Sequence, residues 1–145
     1  MTIILFMRMR VFSALSMGGA LFFGFLIYII FRKDTFLHLY FVFPDFISLS
    51  EFEFWGGDFV RYYFPDFLWE YALTSALYAI YPPCDRRKNL FVPLCAFFVG
   101  FYYEIGQKAK IFLGTGDFID VLIYLCAAFA AYKIHLIYYK RRKNQ

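Results

Sequence analysis

The sequence predicts an all-α, polytopic integral membrane protein, with four transmembrane helices and an interfacial or re-entrant outer segment in a single domain over residues 1–145. The chain is 62% hydrophobic, and its mean hydropathy is +0.56. Aromatic residues make up 26% of it, so a soluble domain of this size would leave much apolar surface in water. Apolar runs of membrane-spanning length recur, and basic residues gather at their ends.

This composition argues against several classes of protein. The net charge of +4 does not indicate nucleic-acid binding, because the basic residues flank apolar runs. The three cysteines lack CxxC spacing, so the sequence predicts no disulfide framework, no metal site and no cofactor. No common catalytic motif is present. His38 and His135 fall on opposite sides of the predicted membrane, and His135 is interpreted as an interfacial residue.

The first predicted span is residues 11–31, which carry no charge. The run is long for the apolar region of a signal peptide, and no small-x-small cleavage site follows it, so we interpret it as a helix that is retained. Ser16, Ala20 and Gly24 recur every four residues and therefore share one face. Small residues there allow a neighbouring helix to approach closely, which predicts a helix-packing partner on this face, with chance as the alternative.

Three further spans are predicted at residues 62–81, 90–107 and 117–139. Pro65 and Pro93 each fall in the first turn of a span, where the missing N–H costs little. The connection over residues 32–61 has aromatic residues at short intervals. It is too apolar for a free loop and too interrupted for a span, so we interpret it as the interfacial or re-entrant segment at the outer face.

An even number of spans places both termini on one side of the membrane. That side holds Arg8, Arg10, Arg86, Arg87, Lys88, Lys140, Arg141, Arg142 and Lys143, whereas the other holds Arg32, Lys33, Arg61, Lys108 and Lys110. Because basic residues concentrate on the cytoplasmic side, the sequence predicts that both termini are cytoplasmic.

Six polar residues fall at one depth in this topology, at the outer ends of the helices. They are Asp66 and Glu70 on the second span, Glu104 and Gln107 on the third, and Asp117 and Asp120 on the fourth. Ionisable groups in a membrane domain normally face the bundle or a water-filled cavity. The sequence therefore predicts a polar pocket, open to the outer face, in which these six residues bind a ligand.

Simpler roles are open for some of them. Asp117 has the position of an N-cap, and Asp120 lies three residues on, as in a capping box. Glu104 is near enough to a helix end to reach water, whereas Glu70 lies about two turns inside its helix between Trp69 and Tyr71. Carboxylates could also hold a divalent cation or perform acid–base chemistry, so no catalytic residue is assigned.

The third and fourth spans also carry a family resemblance. Glu104-x-x-Gln107, a short loop and then Gly116-Asp117-x-x-Asp120 resemble the VanZ-like membrane proteins, which have a Glu-x-x-Gln near the end of one span and paired aspartates at the start of the last. Residues 64–78 are similar to the second span of small relatives. The name-giving member is linked to resistance to the glycopeptide teicoplanin. The resemblance implies a divergent member with a role in the cell envelope, located in the bacterial inner membrane.

Three functions from different classes follow as hypotheses. The first is a membrane protein whose outer pocket binds an envelope ligand, namely a lipid headgroup, a lipid-linked precursor or a glycopeptide. The second is a membrane-embedded enzyme or an ion-coupled carrier that uses the same carboxylates. The third is a structural or assembly subunit that docks a partner through the face of Ser16, Ala20 and Gly24, with polar groups that only cap helices.

Overall fold

The computed structural model describes residues 3–31, 57, 59–83, 86–113 and 116–144. These residues form four α-helices: α1 (Ile3–Phe31), α2 (Phe64–Ile80), α3 (Arg86–Lys108) and α4 (Phe118–Lys143). A π-helical turn, Phe59–Tyr63, leads into α2. The prediction of an all-α fold with four helices is confirmed. Most of the predicted interfacial or re-entrant segment, at positions 32–56 and 58, lies outside the described residues.

The helices extend beyond the predicted spans, which end at basic residues. α1 begins at Ile3 instead of residue 11, because arginine and methionine are good helix formers and continue the helix. The Nε–H of Arg10 donates to the Ala79 carbonyl oxygen over 2.9 Å, so this cation pairs with the last turn of α2. α4 runs on to Lys143 through a basic last turn, which interacts favourably with the helix dipole.

Three described segments are long and apolar enough to cross a membrane, and these are Ile3–Tyr28, Asn89–Lys108 and Phe118–Lys143. Their length and hydropathy indicate a multi-pass membrane protein. α2 has 17 residues. It is therefore about 26 Å long, slightly less than the ~30 Å hydrocarbon core of a typical bilayer. That α2 forms a fourth span remains a prediction.

Small side chains fill the interior of the bundle, and large apolar ones cover its outside. α2 packs against the other three helices. Buried alanines line the contacts: Ala20, Ala72, Ala96, Ala127, Ala128 and Ala131. Phe22, Phe98 and Phe129 are each more than half exposed. A soluble domain has the opposite arrangement, whereas small residues at helix contacts are typical of bundles in lipid.

The face of small residues on α1 is in contact with α2 of the same chain. Ser16 Oγ and Tyr71 Oη share a hydrogen bond of 2.8 Å, and Ala20 is buried. A Cβ atom placed on Gly24 would lie 3.7 Å from the Cβ of Leu68. The close approach that the spacing predicts is therefore made within this chain, and a separate protein partner on this face remains a prediction.

A cluster of aromatic rings packs the end of the bundle that holds the chain termini, which we call the terminal end. The His135 ring stacks on Tyr78 with centroids 4.8 Å apart and meets Phe12 edge-on at 5.3 Å. Phe12 also stacks on Tyr138 at 3.9 Å. His135 is fully buried. His135 therefore lies inside the bundle, between Phe12 and Tyr78, and its interfacial depth remains a prediction.

α3 ends in a Schellman motif, in which Lys110 occupies the position usually held by glycine. The N–H of Ile111 donates to the Gly106 carbonyl over 2.8 Å, and the N–H of Lys110 donates to the Gln107 carbonyl over 2.9 Å. The φ angle of Lys110 is 59°, in the left-handed region. A side chain with a Cβ is strained in this conformation, whereas glycine is not.

Replacing Lys110 with glycine should therefore stabilise the protein by about 1 kcal/mol through relief of this strain. The measurement is thermal unfolding in detergent, followed by circular dichroism. Lys110→Ala is the matched control, because it removes the charge and the long side chain but keeps Cβ. Equal stabilisation by both substitutions would trace the effect to the side chain and contradict the backbone explanation.

Candidate functional site: carboxylates around Tyr124

The candidate site lies at the end of the bundle opposite the termini, which we call the cluster end. α3 runs antiparallel to α2 and α4, so its last turns lie beside the first turns of those two helices. This arrangement brings the polar start of α2, the Glu104 region of α3 and the start of α4 to the same level. The convergence of three polar helix ends is what the sequence predicts for its pocket.

Glu104 ties α3 to α4. Its side chain is 5% exposed, and both carboxylate oxygens are paired. Oε2 accepts the backbone N–H of Asp117 over 3.1 Å, and Oε1 accepts the hydroxyl of Tyr124 over 3.0 Å. A buried carboxylate is costly unless it is hydrogen-bonded, and these two donors satisfy that need. Glu104 therefore has a structural role in addition to any role in binding.

The approach of α4 to α3 depends on Gly116. A Cβ atom at this position would lie 2.7 Å from the Glu104 carbonyl oxygen and 2.8 Å from the backbone nitrogen of Lys108. Both of these atoms belong to the last turns of α3, so the turn packs backbone against backbone. This contact brings the N–H of Asp117 within reach of the Glu104 carboxylate.

Two of the six predicted ligand-binding residues interact mainly with the backbone. Asp117 Oδ1 accepts the N–H of Ile119 over 3.1 Å, so Asp117 is the N-cap of α4. The Gln107 amide donates to the Leu113 carbonyl over 3.1 Å and holds the loop after α3. The capping role considered for Asp117 is confirmed. Neither side chain is shown to point into the space between the helices.

Glu70 is buried between the helices, with an exposed fraction of 3%. Its Oε2 lies beside Gly100, where a Cβ atom would come within 3.3 Å of it. Its Oε1 has no hydrogen-bond partner among the described residues. The Thr74 hydroxyl, one turn further along α2, lies near the carboxylate but outside hydrogen-bond geometry. Glu70 is therefore a buried carboxylate with an oxygen that lacks a donor.

Tyr124 lies at the centre of the site. Its hydroxyl interacts electrostatically with the carboxylates of Asp66, Glu104 and Asp120. Its ring packs on Gly100, where a Cβ atom would lie 2.7 Å from it. The structure thus brings together four of the six predicted residues, and we refer to Asp66, Glu70, Glu104 and Asp120 as the carboxylate cluster.

The sequence reasoning missed Tyr124 and Gly100 as parts of the site. Tyr124 follows Asp120 by four residues, so both lie on one face of α4, and this spacing is the signal that could have found it. Gly100 precedes Glu104 by four residues and shares its face of α3 in the same way. A glycine beneath a buried carboxylate is a weak signal on its own, because glycine is frequent in membrane helices.

The site is rich in hydrogen-bond acceptors. Ionised carboxylates only accept hydrogen bonds. The side chains of Lys108 and Lys110 are exposed. Within the ranges that the structure describes, no three His, Cys, Asp or Glu side chains are grouped so that they could hold a metal ion. The cluster surrounds a phenol hydroxyl, and such a set of oxygens suits a ligand that offers ammonium or hydroxyl groups.

The chain matches no protein-family model, no curated protein and no solved structure. The resemblance to VanZ-like proteins accordingly rests on residues 64–78 and on the five motif residues, Glu104, Gln107, Gly116, Asp117 and Asp120, and membership of that family remains a prediction.

Proposed function

We propose that this chain is a VanZ-like protein of the bacterial inner membrane, with four spans and cytoplasmic termini, whose carboxylate cluster binds an envelope lipid. The part recognised is a headgroup or lipid-linked sugar that bears ammonium or hydroxyl groups. One observation carries the proposal: Glu70 is 3% exposed, and its Oε1 has no hydrogen-bond partner among the described residues. Burying an acceptor without a donor is costly, and a bound donor group would remove that cost.

The charge of the cluster selects the kind of ligand. Carboxylates around the Tyr124 hydroxyl favour a cation over a phosphate, so the recognised group is the amine or the sugar hydroxyls of the lipid. An ammonium group offers three N–H donors to carboxylate oxygens, and such charge-assisted hydrogen bonds are stronger than neutral ones. An amine-bearing headgroup is therefore the best simple probe.

The position of the cluster also supports a headgroup ligand. Asp66 and Asp120 are half-buried near helix ends. Trp69, Tyr102 and Tyr103 are substantially exposed on the same part of the bundle. Tryptophan and tyrosine are enriched at the level of lipid headgroups. A lipid could thus present its headgroup to the cluster while its acyl chains stay in the bilayer.

The test is lipid binding by the purified protein in nanodiscs, with phosphatidylethanolamine compared against phosphatidylglycerol. Glu70→Gln and Asp120→Asn should each weaken binding of the amine lipid by about tenfold or more, since hydrogen bonds to charged groups contribute roughly 1.5–3 kcal/mol each. Asp117→Asn is the matched control. It also removes a carboxylate near the site but keeps the N-cap, because asparagine caps helices as well as aspartate does.

Two outcomes would contradict the proposal. One is unchanged binding in both Glu70→Gln and Asp120→Asn, and the other is an equal loss in Asp117→Asn. A preference for undecaprenyl-linked aminosugars over phosphatidylethanolamine would identify a precursor as the ligand. The family resemblance adds a cellular readout, because the same variants should lose any teicoplanin tolerance that the wild-type chain confers.

A further inference from the structure

A line of buried polar side chains extends from the carboxylate cluster towards the terminal end. It consists of Glu70, Thr74 and Ser75 on α2, Ser13 on α1 and His135 on α4, and we call it the polar file. Glu70 is 3% exposed and the other four are 0% exposed. Each has a side-chain nitrogen or oxygen without a hydrogen-bond partner among the described residues.

The helix register aligns these residues. Glu70, Thr74 and Tyr78 recur every four residues on one face of α2 and span about 12 Å along the helix axis. α1 runs antiparallel to α2, as two hydrogen bonds show: Ser16 to Tyr71, and Arg10 to the Ala79 carbonyl. Ser13 lies between these two contacts and therefore at the level of Ser75. On α4, the His135 ring stacks on Tyr78.

His135 offers a proton acceptor to the file. Its Nδ1 lies 2.8 Å from the Ala131 carbonyl oxygen. A carbonyl can only accept, so Nδ1 carries the hydrogen and Nε2 is the bare acceptor nitrogen of the neutral ring. Nε2 is buried and has no partner in the described part of the chain.

The file continues beyond His135 to a cavity. The Tyr78 hydroxyl donates to the Asn89 carbonyl over 2.6 Å. Asn89 lines a cavity of about 670 Å³ at the terminal end, whose wall includes Leu77 and Val92. Tyr81 and Phe91 also line it, and both are more than 60% exposed, so the cavity reaches the surface of the bundle. Asn89 thus lies between Tyr78 and a mostly apolar cavity that opens at the terminal end.

The five buried groups need an explanation, because buried polar atoms without partners are few in native proteins. Each costs roughly 1–3 kcal/mol when it is left unsatisfied. Bound water is the usual remedy, and a buried water typically makes about three hydrogen bonds. Hydroxyls and waters in a row also form a proton relay, and ionisable residues inside a membrane bundle commonly serve one.

We propose that the polar file is a proton path through the bundle, hydrated along its length, with Glu70 and His135 as the groups that take up and release the proton. This function goes beyond headgroup binding and does not depend on it. In each step a water or hydroxyl accepts one proton and gives up another, so its covalent state is restored. The Glu70 carboxyl group gives a proton to the relay and becomes a carboxylate, while Nε2 of His135 takes one up and the ring becomes an imidazolium. Water at the cluster end then reprotonates Glu70, and Nε2 releases its proton to water at the terminal end, so both groups return to their starting states without any redox partner.

Charged and titratable groups flank both ends of the path. Near Glu70 these are Asp66, Glu104, Asp120 and Tyr124, which belong to or contact the carboxylate cluster. Near His135 they are Tyr78, Tyr132 and Tyr138, with Arg142 over the Tyr138 ring.

The test is proton flux in proteoliposomes, driven by a potassium diffusion potential and read by a pH-sensitive dye inside. The wild-type chain should raise the flux above that of empty liposomes. Glu70→Gln and His135→Gln should each lower the protein-dependent flux by at least about tenfold, because each removes a proton-exchanging relay group. Ser16→Ala is the control and should conduct like the wild type, since Ser16 pairs with Tyr71 outside the file.

Wild-type liposomes without protein-dependent flux would overturn the proposal, and so would wild-type flux in both Glu70→Gln and His135→Gln. Thr74→Val separates loss of the path from misfolding, because valine keeps the shape of the side chain and removes only the relay hydroxyl. This variant should also slow the flux. A lipid-binding measurement distinguishes the proton path from the proposed headgroup binding. His135→Gln should still bind amine lipids, so intact binding without any wild-type flux would refute the proton path alone.

Discussion

Replacing Glu104 with alanine is expected to lower the free energy of unfolding by about 3 kcal/mol, since it removes two hydrogen bonds to a buried charged acceptor. The N–H of Asp117 and the hydroxyl of Tyr124 would both lose their partner. Because these bonds join α3 to α4, the substitution should loosen the cluster end before the rest of the bundle. The measurement is equilibrium unfolding in mixed micelles, followed by tryptophan fluorescence and circular dichroism.

A double-mutant cycle with Tyr124→Phe isolates the contribution of one bond. Tyr124→Phe alone should cost about 1.5 kcal/mol, the lower end for a hydrogen bond to a charged group. The double variant should cost clearly less than the sum of the two single variants, because both remove the same 3.0 Å contact. Strict additivity would mean that the hydroxyl and the carboxylate do not interact in solution.

The helices are the part of the fold that could be predicted from the sequence. The apolar runs are long, and proline or aspartate stands at the start of two helices, where each is tolerated or favoured. The placement of Pro93 in a first turn is wrong, because α3 begins at Arg86 and Pro93 lies inside the helix. Pro65 lies in the first turn of α2, and Asp117 is the N-cap of α4. Ends marked only by charge were less predictable, since Arg10 lies within α1 and its charge pairs with a carbonyl of α2.

The common level of the polar residues along the bundle was predictable, but their hydrogen-bond partners were not. Helix ends at one level bring Glu70, Glu104 and Asp120 together in any antiparallel arrangement of these spans. Which carboxylate oxygen finds a donor depends on the rotation of each helix about its axis. For Glu104 it also depends on the hydroxyl of Tyr124, which lies on another helix. Glu104 is paired on both oxygens, whereas Oε1 of Glu70 has no partner within the described ranges. That difference makes Glu70 the stronger candidate for contact with a ligand. The family motif, by contrast, includes Glu104 and not Glu70.

The backbone conformation of the turn between α3 and α4 was also not predictable from the sequence. The sequence has glycines at 114 and 116, which favour a turn, and position 114 lies outside the described residues. The left-handed residue of the turn is Lys110, which no propensity argument would choose. Gly116 serves a different purpose, since it allows two backbones to touch. Such contacts depend on the packing of α3 against α4 and leave no trace in local sequence.

Gly116→Ala should therefore destabilise the protein by about 2–3 kcal/mol, the upper range for forcing extra atoms into a packed site. The added methyl would lie 2.7 and 2.8 Å from backbone atoms of α3, which cannot rotate away as a side chain can. The turn would have to lift, and the hydrogen bond from Asp117 to Glu104 would lengthen or break. Thermal unfolding of the purified variant in detergent gives the size of the loss.

Alanine substitutions at two other glycines serve as comparisons for the stability of Gly116→Ala. A methyl at Gly18 on α1 meets nothing within 4 Å, so Gly18→Ala should be neutral or slightly stabilising through its better helix propensity. A methyl at Gly100 would press on the Tyr124 ring, which can turn aside in part, so Gly100→Ala should cost less than Gly116→Ala. If Gly116→Ala unfolds at the same temperature as Gly18→Ala, the backbone of α3 does not touch the backbone of the turn into α4. In that case a different contact must hold Asp117 against Glu104.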